Sequence, residues 1–315
     1  MRRMFMFCLA TVTFMAACTP LVNAPQTAAP MTDKLAEIQA RGTLVIATDA
    51  DYPPQSRLLF NTTPNSDTKC APTQYTANQM DGFDVAVAIE LADRLGVEPC
   101  FVTPPWSQLI AGNWGDNWDV HIGSVAITYD RMQVLYFSQP YYATPSVALV
   151  HRDNTTYQKL EDLSGKRIGV CVGCTFEAYL KGDLQMPNQD IQYRIQNAVV
   201  VGYENEAPAI ADLSLGDGVK LDAVLAILPL ARRAIASGRP LRILEPPLLF
   251  AYASITLDRS ARRDQARLLE VISRSINEMH QEGILKQYSI AYQGLDLTQE
   301  AARFDISKLK QATTP

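Results

Sequence analysis

The sequence predicts an α/β protein made of two units, each a parallel sheet with crossover helices. Short apolar and β-branched runs alternate with helical patterns over residues 34–122, and the same alternation begins again after residue 160. The chain has 315 residues, of which 47% are hydrophobic and 19% are charged. This length and composition are sufficient for two globular domains, each with its own core.

The first unit is predicted from three apolar runs, each followed by a helical pattern or a small-residue turn. Gly42 ends the first helical pattern and Gly96 ends the second. In chain order we expect a helix over 34–41, a strand over 43–48, a loop over 49–54, an insertion over 55–80, a helix over 82–95, a strand over 100–102, a helix through 106–110 and a strand over 118–122.

The second unit is reached through an extended passage over 138–150, whose two prolines suit a crossing between the units. Its expected elements are a turn over 160–166, a strand over 167–170, a loop over 171–175, a helix over 176–180, strand character within 191–201, a helix over 207–215, a strand over 221–225 and a helix over 229–236. The run 250–257 predicts a return crossing, followed by a helix pair over 261–289 broken at Gly283 and a helical, then loose, tail over 298–315.

The first 18 residues are predicted to be a targeting segment, with Arg2 and Arg3 ahead of a short apolar run. Residues 14–18 end in Cys18 and resemble a bacterial lipobox, in which the cysteine becomes the lipid-modified first residue. Cleavage at the small-residue site 22–24 is the alternative, and either route exports the protein. Residues 19–32 are then a flexible tether.

Composition argues against several classes of partner. The net charge is −5 and the basic residues are dispersed, so the sequence offers no surface for nucleic acid. The three histidines, His121, His151 and His280, lie far apart without ligand-like spacing, and we expect surface or hydrogen-bonded positions for them and no metal site.

Four of the six cysteines remain after Cys8 and Cys18 are assigned to the targeting segment and the anchor. Four cysteines allow three pairings, and pairing within sequence neighbourhoods favours Cys171 with Cys174 and Cys70 with Cys100. For Cys171 and Cys174, the predicted helix begins after the second cysteine, which favours a structural disulfide that stiffens the ligand loop, with redox chemistry and free thiols as the alternatives.

Residues 123–131 are the strongest candidate for a ligand site. We interpret them as a strand that ends in a small-residue turn and opens a helix, with Thr128 as the N-cap. Free N–H groups at a helix start and the guanidinium of Arg131 would together bind a carboxylate. Residues 49–52 and Trp106 also follow strands, and loops at the carboxyl ends of parallel strands converge on ligands.

Eight segments occur in the order seen in family 3 extracellular solute-binding proteins, and the sequence resembles that family over roughly residues 35–295. The segments are 49–54, 82–84, the surroundings of Trp106, 118–120, 127–131, 137–142, 160–166 and 221–224.

The resemblance implies a type II periplasmic-binding-protein fold, with two lobes joined by two hinge strands that close on a ligand. The expected first lobe comprises 33–146 and 252–297, and the second lobe comprises 147–251. The implied partners are a small carboxylate ligand, an ABC permease in the inner membrane and a lipid anchor on a monomer in the periplasm or cell envelope.

The family's ligand positions carry over onto this sequence residue by residue. Asp49 and Tyr52 match the first loop, Trp106 matches an aromatic residue stacked on the ligand, and Thr175 matches a hydroxyl at a helix start in the second lobe. The carboxylate clamp corresponds to Gly123, Ser124 and Arg131.

Two ligand positions depart from the family. Ile227 stands where an acidic residue usually pairs with the ligand's ammonium, and Ala126 replaces a frequent hydroxyl. A buried ammonium without a partner loses several kcal/mol of binding free energy. We therefore expect the ligand's amino group to be absent or held elsewhere, with Asp49, Asp51 and Glu204 as substitutes.

The resemblance implies a receptor without catalysis and without a cofactor. A sensory or accessory lipoprotein that feeds no permease is an alternative, as is a dehydratase-type enzyme on the same scaffold. Such dehydratases use an acidic residue at about the place of Ile227, so the sequence argues against an enzyme. A catalytic triad is not indicated either, because His121 lies three residues before Ser124 and faces the other side of the strand.

Overall fold

The computed structural model describes residues 33–309. The expected targeting segment with Cys18, the expected tether and residues 310–315 lie outside the described residues. The helices are α1 (Lys34–Arg41), α2 (Phe83–Leu95), α3 (Trp106–Ala111), α4 (Thr175–Lys181), α5 (Glu206–Leu213), α6 (Leu228–Ala236), α7 (Ala266–Gln281), α8 (Ile284–Gln293) and α9 (Gln299–Arg303). The strands are β1 (Thr43–Ala47), β2 (Asp51–Tyr52), β3 (Ser56–Leu58), β4 (Tyr75–Thr76), β5 (Met80–Asp81), β6 (Glu98–Val102), β7 (Val120–Ala126), β8 (Leu135–His151), β9 (Arg167–Cys171), β10 (Val199–Tyr203), β11 (Ala223–Ile227) and β12 (Leu241–Asp258).

One sheet of nine strands runs through the described residues in the order β10-β9-β11-β8-β12-β7-β1-β6-β4. The pairs of β1 with β6 and β7, and of β9 with β10 and β11, are parallel. The α/β prediction is therefore confirmed. The long strands β8 and β12 lie antiparallel at the centre and continue from one half of the sheet into the other, as the two extended crossings in the sequence predict.

The apolar side chains form separate cores on the two sides of these long strands. In the first half, helices α2 and α7 cover one face of β1, β6 and β7, and a second cluster that includes Leu109 of α3 covers the other face; we call this half the first lobe. In the second half, α4 and α5 cover β9 and β11, and we call that half the second lobe. The lobe boundaries at 146/147 and 251/252 fall inside β8 and β12 and stay a prediction.

Strand β7 extends through the segment predicted to turn into a helix. Gly123 and Ser124 lie within β7, and a single 3-10 turn over Arg131–Gln133 follows instead of an α-helix. The helix start predicted here is wrong, because antiparallel pairing with β12 continues the strand as far as Ala126, past an irregularity at which Ser124 has a φ of 60°. Thr128 is therefore not the N-cap, since the 3-10 turn begins after Asp130, although Thr128 Oγ1 accepts the backbone N–H of Arg131 at 3.2 Å.

The insertion and the loop before it are more ordered than the sequence predicts. Strands β2, β3 and β5 form a separate small sheet, and β4 adds an edge to the main sheet by pairing with β6. A disulfide joins Cys70 to Cys100 in β6, so that predicted pairing is confirmed. It ties the insertion to the first lobe.

Two later elements begin downstream of their predicted positions. Strand β10 covers Val199–Tyr203 because only these residues pair with β9. The helix pair begins at Ala266, since the carboxylate of Asp258 accepts the backbone N–H of Ser260 at 2.9 Å and holds a turn before it. The break at Gly283 is confirmed.

The described part of the predicted tail packs onto the first lobe. The side-chain amide of Gln139 in β8 donates to the carbonyl oxygens of Ala301 at 3.0 Å and Phe304 at 2.6 Å. The ring of Phe304 lies 4.6 Å from that of Tyr252, centroid to centroid. Residues 304–309 are therefore docked rather than loose. Within residues 33–309, no helix has the length and apolar character needed to cross a bilayer.

Candidate ligand-binding site

A cavity of about 370 Å³ lies at the carboxyl ends of the parallel strands of both lobes. This volume is in the range of small-molecule sites. The cavity is lined by all nine residues predicted to contact a ligand, namely Asp49, Tyr52, Trp106, Gly123, Ser124, Ala126, Arg131, Thr175 and Ile227. Their role in binding stays a prediction, but the structure brings them to one place.

Arg131 presents a buried cation to this cavity. Its side chain donates from Nη1 to the carbonyl of Ala126 at 3.1 Å and from Nη2 to the carbonyl of Gly173 at 3.2 Å. The guanidinium carbon lies 5.3 Å from the ring centroid of Trp106. Burial lowers the pKa of Arg131 to about 10, so the group is charged at neutral pH. Within residues 33–309, Arg131 forms no salt bridge with a carboxylate.

The hydroxyl of Ser124 is committed to a buried carboxyl group rather than free for a ligand. Ser124 Oγ donates to Asp84 Oδ2 at 2.8 Å, and Tyr141 donates to Asp84 Oδ1 at 2.8 Å. The Ser124 N–H donates to the Tyr141 hydroxyl at 3.0 Å. Burial raises the pKa of Asp84 to about 7 against the lowering effect of its two donors. Ser124 therefore contributes to the shape of the cavity wall, with its donors engaged behind that wall.

His121 lies behind the clamp and is neither exposed nor hydrogen-bonded. The ring is fully buried, and neither nitrogen has a hydrogen-bond partner among the described residues. Burial and the charge of Arg131 lower its pKa to about 3, so the imidazole is neutral. Its ring centroid lies 6.1 Å from that of Trp106. The expectation of a surface or hydrogen-bonded histidine is wrong, because β7 is an interior strand of the sheet.

A disulfide joins Cys171 to Cys174 at the second-lobe wall, and this predicted pairing is confirmed. Thr175 follows as the first residue of α4 and lines the cavity. The sulfurs of both cysteines and a carboxylate oxygen of Glu206 lie within 4.8 Å of one another. Sulfurs joined to each other are not thiolates and do not bind a metal ion as thiolates do.

Acidic side chains line the wall formed by the first loop and the start of α5. Burial raises the pKa of Asp49 to about 6, and Glu204 and Asp51 raise it further. Burial also raises the pKa of Glu206 to about 7, with a contribution from Asp49. The hydroxyl of Tyr52 lies 3.4 Å from Glu206 Oε1. The cavity therefore has a cationic wall and an acidic wall.

Ile227 is the last residue of β11 and places an apolar side chain on the second-lobe wall. It lies opposite Ser146 of β8 and is 7% exposed. The cavity wall is therefore apolar at the position where the family resemblance implies an acidic side chain.

The family model for bacterial extracellular solute-binding proteins, family 3, matches residues 65–294. The chain belongs to this family. The L-cystine-binding protein TcyJ of Escherichia coli strain K12 is 27% identical over 269 residues, which cover 84% of this chain and 87% of that protein. The lysine/arginine/ornithine-binding periplasmic protein of the same strain is 26% identical over 219 residues, covering 67% of this chain and 78% of that protein.

Solved structures agree with the family assignment. Holo ArgBP from T. maritima superimposes with a TM-score of 0.62 at 28% identity, covering 78% of this chain and 93% of that one. The family 3 chain described here thus has the type II periplasmic-binding-protein fold and a solute-binding role. The named relatives are binding proteins.

Two acidic residues at the cavity wall are not identified from the sequence. Asp84 enters the sequence analysis only within a family segment, although it lies between Phe83 and five apolar residues at the start of α2, a setting that indicates buried hydrogen bonding. From the sequence, Glu204 is a candidate and Glu206 is not. Both line the cavity, and nothing in the local spacing shows which of the two is buried.

Proposed function

We propose that this protein is an extracytoplasmic receptor that closes on a small carboxylate-bearing ligand, an amino acid or a similar molecule, and delivers it to an ABC importer. The observation that carries the proposal is the guanidinium of Arg131, which is buried in the cavity and unpaired with any carboxylate of residues 33–309. A ligand carboxylate supplies the missing negative charge through charge-assisted hydrogen bonds.

The position of Arg131 also supports closure on the ligand. Arg131 belongs to the first lobe, and its Nη2 donates to the Gly173 carbonyl in the loop of the second lobe. The Tyr129 N–H makes a second contact of this kind, to the carbonyl of Gln185 at 3.1 Å. A ligand bound at Arg131 therefore touches both sides of the cleft, and its binding free energy favours the closed form.

The relatives support an amino acid or a close analogue as the ligand, and the fold supports a monomeric receptor that works outside the cytoplasm. We propose further that Cys18 carries a lipid anchor and that the protein has no catalytic role. Labelling cells with an alkynyl fatty acid tests the anchor, since Cys18→Ser would abolish incorporation. Incorporation that persists in Cys18→Ser would contradict it.

Arg131→Gln tests the carboxylate clamp. We expect wild-type protein to bind at least one member of a panel of the twenty common L-amino acids, L-cystine and simple monocarboxylates. The variant should bind that ligand at least about 30-fold more weakly, because a buried charge pair loses one partner. Isothermal titration calorimetry measures the change.

Arg152→Gln is the matched control, since Arg152 is an exposed residue whose side chain is 66% accessible. It should bind like wild type. Equal affinities of wild type and Arg131→Gln for every carboxylate would contradict the proposal, as would wild-type protein that binds no member of the panel.

A further inference from the structure

We infer that Glu206 holds the cationic group of the ligand and replaces the acidic residue missing at Ile227. This inference rests on the proposed function, since it names the second charge of the ligand whose carboxylate Arg131 binds. The ligand class is then a molecule that carries a carboxylate and an ammonium or guanidinium group.

Glu206 is in the place that such a role needs. It is the first residue of α5, whose N-cap Asn205 accepts the backbone N–H of Ala207 at 2.9 Å. The side chain is 4% exposed and borders the cavity. Helix α5 packs against β11, which ends at Ile227. The carboxylate is therefore shifted from the end of one second-lobe strand to the start of the helix beside it.

The surroundings of Glu206 provide no cation. Its Oε1 lies 3.4 Å from the Tyr52 hydroxyl and 3.4 Å from Cys171 Sγ, which is bonded in the disulfide. Within residues 33–309 it forms no salt bridge, and the charge that acts on it is the like charge of Asp49. A buried carboxylate in this setting is stabilised when a cation arrives.

The other acidic residues of this wall are less suited to the role. Asp51 and Glu204 are exposed to solvent, where water and salt screen an ion pair. Asp49 is half-buried and lies on the first lobe. Since Glu206 lies on the second lobe and Arg131 on the first, a ligand that pairs with both connects the lobes through its two charges.

Glu206→Gln tests the inference, because glutamine keeps the size and removes the charge. We use calorimetry with the twenty L-amino acids, L-cystine and, for comparison, the amino-free acids propionate and hexanoate. Wild-type protein should bind one or more of the amino acids and neither amino-free acid. Glu206→Gln should bind the same amino acid at least about 30-fold more weakly.

Two further variants make the result specific. Glu270→Gln changes an exposed acid of α7 and should bind like wild type. Glu204→Gln changes the exposed neighbour and should weaken binding by less than about threefold, as expected for a screened charge. A larger effect of Glu204→Gln than of Glu206→Gln would overturn the assignment.

The outcomes separate the two proposals. If an amino acid binds wild type, is lost in Arg131→Gln and is bound unchanged by Glu206→Gln, the inference on Glu206 fails and the proposed function stands. If propionate or hexanoate binds as tightly as the amino acids, the inference also fails while the carboxylate clamp remains. If no probe binds wild type, the proposed function itself fails.

Discussion

Arg131 is held by two carbonyl oxygens and an aromatic ring, and none of these neutralises its charge. The carbonyls of Ala126 and Gly173 fix the direction of the guanidinium, and Trp106 limits its movement on one side. Such a group is oriented before a ligand arrives, so little side-chain entropy is lost on binding. Ser124 differs, because its donors are already used by Asp84 and Tyr141.

Gly123 is a residue at which the ring behind the clamp leaves no room for a side chain. A Cβ built at this position would lie 2.4 Å from Nε2 of His121. We expect Gly123→Ala to lower the free energy of unfolding by about 1–3 kcal/mol, as overpacking of a closed core does. Urea denaturation followed by circular dichroism measures the loss.

A double-mutant cycle with His121→Ala shows whether the clash is the cause. The loss in the double variant should be smaller than the sum of the two single losses, because the shortened side chain leaves room for the new methyl group. Strictly additive losses would show that Gly123→Ala destabilises the protein for another reason.

At the level of elements, the two disulfides have different roles. The bond from Cys70 to Cys100 spans a sequence separation of 30 and fastens the insertion, whereas that from Cys171 to Cys174 spans 3 and shapes the cavity wall. In the chain-entropy model the longer loop contributes roughly 3.5 kcal/mol and the shorter roughly 2 kcal/mol. The longer loop thus matters more for stability, and the shorter one for the site.

We expect the two double serine variants to separate stability from affinity. Cys70→Ser with Cys100→Ser should lower the melting temperature and leave ligand affinity within about twofold of wild type, since neither residue lines the cavity. Cys171→Ser with Cys174→Ser should lower affinity by about tenfold, because the Gly173 carbonyl that accepts from Arg131 becomes mobile and must be ordered on binding.

Thermal unfolding and calorimetry on both variants check this prediction. The prediction would be contradicted if the variant with the larger loss of melting temperature also had the larger loss of affinity, since the two disulfides would then differ only in their effect on the whole protein.

The sequence predicts elements well where the pattern is local and less well where distant pairing decides. Gly42, Gly96 and Gly283 mark helix ends that the structure confirms. The length of β7 was missed because its extension depends on β12, more than a hundred residues away. The local tendency to turn remains only as the irregularity at Ser124, whose φ is 60°, and the ladder continues past it.

The candidate site shows the same limit at finer resolution. The nine predicted ligand residues line one cavity, because loops at the carboxyl ends of parallel strands must converge. The sequence does not show which of Glu204 and Glu206 is buried. The helix start capped by Asn205 leaves Glu204 exposed and Glu206 buried. Side-chain direction in a loop follows from tertiary packing.

At the scale of the whole molecule, a cavity with a cationic wall and an acidic wall makes closure sensitive to charge. Burial raises the pKa values of Asp49 and Glu206 on the cavity wall to about 6 and about 7, and that of Asp84 behind the wall to about 7. As the pH rises these groups ionise next to one another, and a cationic ligand then relieves the repulsion. As the pH rises, these carboxyl groups should therefore lower the stability of the free protein and raise its affinity for a cationic ligand.

The contribution of Glu206 to stability can be isolated by comparing wild type with Glu206→Gln. In the unfolded chain the carboxyl group loses its proton near its ordinary pKa of 4.5, whereas in the folded protein it keeps the proton up to about pH 7. Between these values the folded state binds more protons, so the contribution of Glu206 to stability falls as the pH rises. Between pH 4.5 and 7, the free energy of unfolding of Glu206→Gln should thus increase relative to that of wild type, by up to about 3 kcal/mol.

Other titrating groups do not disturb this comparison of wild type with Glu206→Gln. The buried His121 and the half-buried His280, whose pKa values are lowered by desolvation, also affect the pH dependence of stability. Because both proteins contain them, their contributions cancel in the comparison.

Over the same pH range the affinity of wild type for an amino acid that it binds should rise, because the ionised form of Glu206 binds the cation. The affinity of Glu206→Gln should rise less. Denaturation curves and calorimetry at half-unit steps of pH measure both quantities. The prediction would be contradicted if the difference in free energy of unfolding between the two proteins stayed constant with pH and their affinities changed in parallel. Another group of the cleft would then take up the proton and bind the cation.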